Sequence, residues 1–368
     1  MNYKKNLSYF YFFIILTLIL FSNTYFSFEE SLIYGGADGK SYYDISKFSP
    51  KLSEVQIQPI HAERFFFPYL IGLISKIITI DIYVLYRILV ILIIILINKI
   101  IIEFLINFKK NEYFIIITIL ILNCNPYFTR FYIAAPLILN DLIFIYGSVV
   151  CINSLYKKNK KEFFIGLAIA SFARQSSAAI CISILLLKIL KKNKFILSYS
   201  DVLVSFIIFI IIYYLGYLYS GNIPMQGTRS DQYYITLFGL LIEKKQAIKL
   251  LIYFIWPFLS FGPLILYYLF LVKNNFYIKK MLINLNIFII FFSFLIILQP
   301  ILQGLTVSGK NIIRLSTLAY PAILIFLIIN SKTSKLKKII PLFFIILSIV
   351  WSSHPTFSIF SYLEKFKF

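Results

Sequence analysis

Residues 82–106 read IYVLYRILVILIIILINKIIIEFLI, with Arg87, Lys99 and Glu103 as the only charges. A helix of that length rises by roughly 37 Å, more than the ~30 Å hydrocarbon layer of a bilayer, and a run this apolar has no stable place in water. Comparable runs recur on both sides of it. Across its 368 residues the chain is 60% apolar and 14% charged, where soluble domains carry about 45–50% and 25%. No polar stretch is long enough for a separate soluble domain, so residues 1–368 read as one all-α, polytopic transmembrane domain.

The +21 formal charge would point to nucleic acid in a soluble protein, but in a membrane protein lysines first report topology. They cluster at Lys4–Lys5, Lys109–Lys110, Lys157–Lys161, Lys188–Lys194, Lys273–Lys280 and Lys332–Lys338. Placing all six clusters in the cytoplasm fixes the crossings between them. Leu7–Phe28 leaves the cytoplasm as an uncleaved anchor. Residues 29–81 form a first extracytoplasmic loop, in which Phe65–Ile80 is an interfacial or re-entrant helix, and Ile82–Ile106 returns. Tyr113–Leu155 divides into two spans around Pro126, Arg130 and Pro136. Phe163–Leu187 divides into two half-length helices meeting at Arg174. Spans follow at Ile196–Tyr219, Ala247–Val272, Leu282–Leu302, Ile312–Ile329 and Ile339–Trp351, with a second outer loop at 220–246. About eleven crossings result, with the amino terminus cytoplasmic and the carboxyl terminus outside. The expected location is a bacterial inner or plasma membrane.

Cys124, Cys151 and Cys181 are scattered among apolar residues and read as core packing, with no zinc or disulfide spacing. There is no Gly-rich phosphate loop, which disfavours nucleotide-driven transport. The informative asymmetry lies across the membrane: inner connections are short and basic, outer ones long and mixed in charge. The first outer loop holds seven of the 15 acidic residues and includes Tyr34-Gly-Gly-Ala-Asp38-Gly-Lys-Ser-Tyr42-Tyr43-Asp44. Its glycines read as a turn that lets a bulky ligand approach Asp38, with Tyr42 and Tyr43 as faces for sugar rings and His61 as a further candidate contact. Basic residues also stand where inward-running helices begin, at Arg174 in Ala173-Arg174-Gln175-Ser176-Ser177 and at Lys310 with Arg314. A guanidinium beside a helix amino terminus suits a phosphate.

This layout resembles the GT-C superfamily of polytopic membrane glycosyltransferases. Asp38 with Tyr42 and Tyr43 resembles that superfamily's loop carboxylate, and Arg64-Phe-Phe-Phe-Pro68 resembles its basic-hydrophobic-proline entry to a loop-closing helix. Pro136 with Asn140-Asp141 resembles the P-x-x-x-[TN]-D start of a later span, and Arg314 with Pro321 its late arginine. The loop aspartates are six positions apart rather than adjacent, so Asp38, Asp44 and Glu29-Glu30 all stand as counterparts of the carboxylate.

The resemblance implies transfer of a sugar from a polyprenyl-phosphate donor to a glycan or lipid-linked acceptor at the outer face. Asp38 or Asp44 would serve as the catalytic carboxylate, Arg174, Lys310 and Arg314 would hold the donor phosphate, and Tyr42, Tyr43, His61, Arg64 and Asp141 would contact substrate. No cofactor is called for by these residues, no metal ligand set is identified, and a divalent metal at the site stays open. Membrane lipid is an expected partner and nucleic acid is not. A lipid-linked oligosaccharide polymerase or ligase would share the donor chemistry but calls for a large late outer loop. A transporter or flippase calls for ionisable groups near the bilayer midplane and for repeated halves.

Overall fold

The computed structural model describes residues 2–22, 28–125, 127–190, 197–228, 261, 264, 283–302 and 311–331. Most of these residues are helical, with no strand among them and an isolated bridge between Ile57 and Met225. In chain order the helices are α1 (Asn2–Ser22), α2 (Phe28–Phe48), α3 (Pro59–Ala62), α4 (Phe66–Ile78), α5 (Ile82–Asn107), α6 (Glu112–Asn123) and α7 (Thr129–Ala134). Then come α8 (Leu139–Lys157), α9 (Lys160–Ala173), α10 (Ala178–Leu190), α11 (Tyr199–Gly221), α12 (Ile283–Leu302), α13 (Asn311–Ser316) and α14 (Tyr320–Asn330). Three-residue 3-10 turns precede α8, α10 and α14.

Four helical segments are long and apolar enough to cross a membrane: Ile82–Asn107, Pro136–Lys157, Tyr199–Gly221 and Ile283–Leu302. The expected spans at Ala247–Val272 and Ile339–Trp351, and most of the 220–246 loop, fall outside the described residues. Polar side chains set several helix starts. Asp81, Asn111 and Asn159 each accept a backbone N–H from the first turn of α5, α6 and α9, and Ser198 with Asp201 forms a capping box on α11.

Burial separates centre from periphery. The window of Pro136–Lys157 is 94% buried and that of Tyr199–Gly221 only 17%, so α8 is the hub of the bundle while α11 presents Ile207, Ile210, Ile211 and Leu215 outward. Helices α8 and α9 approach closely because glycines meet: a Cβ on Gly147 would lie 2.7 Å from the Gly166 carbonyl oxygen and from the Ala170 nitrogen. Reciprocal amide hydrogen bonds join Asn98 of α5 to Asn123 of α6 and Asn286 of α12 to Asn330 of α14, pairing polar groups that lipid would leave unsatisfied.

The half-length pair at Arg174 is present. Lys160 at the start of α9 pairs with Asp201 at 2.6 Å, and Lys188 in the last turn of α10 lies over the Tyr199 ring at 4.8 Å. Both open ends therefore sit beside the beginning of α11, while Ser171 and Gln175 near the tip line a cleft with Phe209, Ile212 and Tyr213. The tip thus reaches about halfway along a 23-residue helix.

The described lysine clusters gather at one end of the bundle. Lys157 of α8 pairs with Glu103 of α5, and Lys110, after α5, donates to the carbonyl and hydroxyl of Ser331 after α14. Lys191, Lys192 and Lys194, with the clusters at 273–280 and 332–338, lie outside the described residues.

The Tyr34–Asp44 stretch differs from expectation. It is helix within α2, broken at Gly36 with φ 56° and ψ −151°. Gly39 is helical and buried, and a Cβ there would come 3.3 Å from the Leu137 Cβ. Packing against the turn before α8 outweighs the roughly 1 kcal/mol that a helical glycine costs. The expected interfacial helix is α4, whose Gly72 meets the Ser46 carbonyl of α2 and whose Ile74, Ile77 and Ile78 face outward.

If the lysine end is cytoplasmic, a cysteine replacing exposed Gln56 should react with an impermeant maleimide in intact cells and one replacing exposed Lys161 should react only after permeabilisation. Labelling of Lys161→Cys in intact cells would invert the map.

Candidate functional site

Opposite the lysine end, five separate parts of the chain bring ionisable side chains together. Asp141 lies in the first turn of α8, because the turn Pro136–Ile138 starts that helix just before it, and is fully buried. Arg174 is held by the break between α9 and α10, where its backbone is extended at φ −155°, ψ 143°. Arg314 comes from the last turn of α13. Arg174 Nη1 donates to Asp141 Oδ1, and Arg314 Nε approaches Asp141 Oδ2 at 3.5 Å.

Arg314 extends the chain. Its Nη2 donates to Asp38 Oδ2 at 2.5 Å. The other Asp38 oxygen lies 2.8 Å from His61 Nε2, and His61 Nδ1 lies 3.1 Å from the Ser41 hydroxyl. That hydroxyl also donates to the Ala37 carbonyl at 2.8 Å. Burial pushes the Asp38 carboxyl up, but Arg314, His61 and Arg64 outweigh it and hold the group well below the usual carboxylate range. Its charge therefore stabilises the fold fully above the ordinary carboxylate range, and that contribution is lost as pH falls through the depressed value.

Arg64 closes the cluster from a third direction. Its neighbours pin it: Phe65 stacks on Tyr219 of α11 and Phe66 on Phe172 of α9, both at 4.0 Å, while Asn140 Nδ2 donates to its carbonyl. Arg64 Nε donates to Gln175 Oε1 at 2.8 Å, Nη1 reaches the Tyr42 hydroxyl at 3.3 Å, and Gln175 Nε2 donates to Glu63 at 3.1 Å. Glu63, Arg64, Ser171 and Gln175 line one side of a narrow cleft whose other side is Phe209, Ile212 and Tyr213 of the outward-facing α11.

Several buried donors here are unused among the described residues. Arg174 Nε and the hydroxyls of Ser176 and Ser177 have no hydrogen-bond partner. A buried N–H or O–H left unpaired costs about 1–3 kcal/mol, so such donors mark where an acceptor-rich ligand would be held.

Of the residues singled out in the sequence, Asp38, Tyr42, His61, Arg64, Asp141, Arg174 and Arg314 come together. Two do not. Asp44 follows Asp38 by six residues on the same helix, which turns it to another face, where Lys40 and Lys47 are its charged neighbours. Burial raises its carboxyl. Tyr43 packs on Phe28, with ring centroids 4.7 Å apart. Lys310 lies outside the described residues. Gln175, Glu63 and Ser41 were not singled out as site residues; the adjacency of Gln175 to Arg174 and of Glu63 to Arg64 was the only available signal. No group of His, Cys, Asp and Glu able to hold a metal ion occurs among the described residues. No protein-family model, curated protein or solved structure matches the chain.

Removing one member of the Asp141–Arg174 pair leaves a buried charge uncompensated. Arg174→Met or Asp141→Asn should each cost about 3–5 kcal/mol, and the double variant should lose clearly less than the sum. Thermal unfolding of the four purified proteins measures this, and additive losses would show that the two side chains do not depend on each other.

Proposed function

We propose that the protein is a membrane glycosyltransferase of the GT-C type, moving a sugar from a polyprenyl-phosphate donor to an acceptor hydroxyl at the extracytoplasmic face. The observation that carries this reading is the convergence of Asp38, Arg174 and Arg314 in one buried cluster with unused donors beside it. In this reading the donor phosphate lies against Arg174 and Arg314, taking up the donors of Arg174, Ser176 and Ser177. The acceptor oxygen bonds to the anomeric carbon, the bond from that carbon to the phosphate oxygen breaks with its electron pair leaving on the phosphate, and the acceptor proton goes to Asp38. A carboxylate clamped by Arg314 is a weak base, and proton transfer is late in such a reaction because the hydroxyl acidifies as its bond to carbon forms. Arg314 turning towards the phosphate would also return basicity to Asp38. Positioned guanidiniums facing the charge that grows on the leaving phosphate typically contribute 10² or more in rate.

A polymerase or ligase acting on lipid-linked oligosaccharides would use the same donor chemistry with a larger acceptor. Burial of the Asp141–Arg174 pair favours one reading from another class, a transporter in which paired charges line a substrate path.

Protein in nanodiscs, supplied with a panel of polyprenyl-phosphate hexoses and pentoses, should release polyprenyl phosphate when a glycan acceptor is added. Asp38→Asn should lower that release at least ~10²-fold, with a parallel thermal melt separating loss of base from loss of fold. Absence of release across the panel, together with saturable sugar flux into proteoliposomes, would replace the transferase by the transporter.

A further inference from the structure

One more hydroxyl stands with the unused donors of the cluster. Tyr132 of α7 is fully buried, and its hydroxyl has no hydrogen-bond partner among the described residues. Its charged neighbours are Asp141, Arg314 and Arg174, the groups at the centre of the site. The Asp141 oxygens face Arg174 and Arg314 rather than the phenol. Thr317 lies beside Tyr132, but the two hydroxyls do not meet in hydrogen-bond geometry, and Thr317 Oγ1 donates to the Arg314 carbonyl at 2.6 Å.

The ring is held where it is. Helix α7 is six residues long and tied at both ends: Thr129 Oγ1 donates to Asn123 Oδ1 at 3.1 Å, and the Ala134 carbonyl accepts from the Ser31 hydroxyl at 2.9 Å. Phe128 and Phe131 meet Tyr132 edge-on, with ring centroids 6.0 and 5.3 Å away. A rigid phenol with an idle proton destabilises the empty protein, because folding strips its water and supplies no partner in exchange. An acceptor held by the neighbouring arginines would remove that penalty.

We propose that Tyr132 is a phosphate-binding residue of the site, its hydroxyl donating a hydrogen bond to an oxygen of the phosphate held by Arg174 and Arg314. The inference rests on the reading of this cluster as a phosphate site and adds to it a neutral donor from a further segment of the chain. The proton stays on the phenol throughout. As negative charge grows on the departing phosphate that hydrogen bond strengthens, so Tyr132 acts on the transition state as well as on binding. The role has a signature that a structural tyrosine does not give: loss of the hydroxyl stabilises the empty protein and weakens the loaded one.

The test compares Tyr132→Phe with Tyr320→Phe in the full chain in nanodiscs. The Tyr320 hydroxyl is buried too, but it donates to the Ile121 carbonyl at 2.8 Å. Without ligand, Tyr132→Phe should melt about 1 °C or more above the wild type, and Tyr320→Phe below it. Binding of dodecyl methyl phosphate, measured by calorimetry, should weaken about tenfold or more in Tyr132→Phe and stay within about twofold of wild type in Tyr320→Phe. Dodecyl glucosyl phosphate, which adds a sugar, should show the same loss in Tyr132→Phe. A loss confined to the glucosyl probe would move the contact to the sugar and overturn its assignment to phosphate. Empty Tyr132→Phe melting below the wild type, or failing to fold, would show that the hydroxyl holds the structure and would overturn the proposal. Unchanged affinity of Tyr132→Phe would overturn it while leaving the phosphate site standing. Failure of dodecyl methyl phosphate to bind the wild type would overturn the phosphate site and this contact together.

Discussion

Asp141 is the group on which the rest of the site depends. A carboxylate with no exposed surface is tolerable only if its charge is met where it lies, and here it is shared by guanidiniums from two distant segments, Arg174 and Arg314. Sharing ties the break between α9 and α10 to the start of α8, 33 residues earlier, and to α13, more than a hundred residues later. Each arginine brings a second obligation. Arg314 must meet Asp38, which in turn holds His61; Arg174 must sit at the end of a half-length helix, since a continuous helix through residue 174 would give it no reason to stop at this depth.

The packing around the cluster follows from that demand. Helix α8 is enclosed on nearly every side because it carries Asp141 at one end and apolar side chains along the rest. Gly147 and Gly166 let α9 lie against it closely enough for the α9 tip to deliver Arg174. Phe65 and Phe66 act from the other side, stacking on α11 and α9 so that the intervening loop cannot carry Arg64 away. Stability in a bundle like this comes from close approach and satisfied polar groups rather than from expulsion of water, and the Asn98–Asn123 and Asn286–Asn330 pairs belong to the same logic.

How much of this is legible in the sequence can be judged residue by residue. Apolar runs such as Ile82–Ile106 announce their helices through length and composition alone. The interruption at Arg174 is legible from the lysines: a single 25-residue helix over Phe163–Leu187 would put the clusters at Lys157–Lys161 and Lys188–Lys194 on opposite sides of the membrane. Arg174 and Asp141 are also legible as partners, since neither is tolerable alone. The α2 helix is not legible: three glycines within five residues argue for a turn, and only the tertiary contact of Gly39 with Leu137 reverses that local preference. The choice between Asp38 and Asp44 depended on that same error, because a helix turns residues six apart to different faces while a loop does not. Gln175 and Glu63 carried no signal of their own, being ordinary polar residues whose role exists only once α3 and the α9 tip are neighbours.

The pairing of Asp141 and Asp38 with Arg174 and Arg314 has a further consequence, for kinetics rather than for affinity. Opposite charges in direct contact project little field beyond their own width, whereas the described lysines stand at the other end of α8, about 24 Å away by helix rise. These pairs would draw no anion in from a distance, and added salt would have little long-range attraction between them and a ligand to screen. Encounter would then be governed by where the ligand already is. An amphiphile confined to the bilayer reaches the outward face of α11 by diffusion in two dimensions, while a soluble anion of the same chemistry gains no advantage from electrostatic steering.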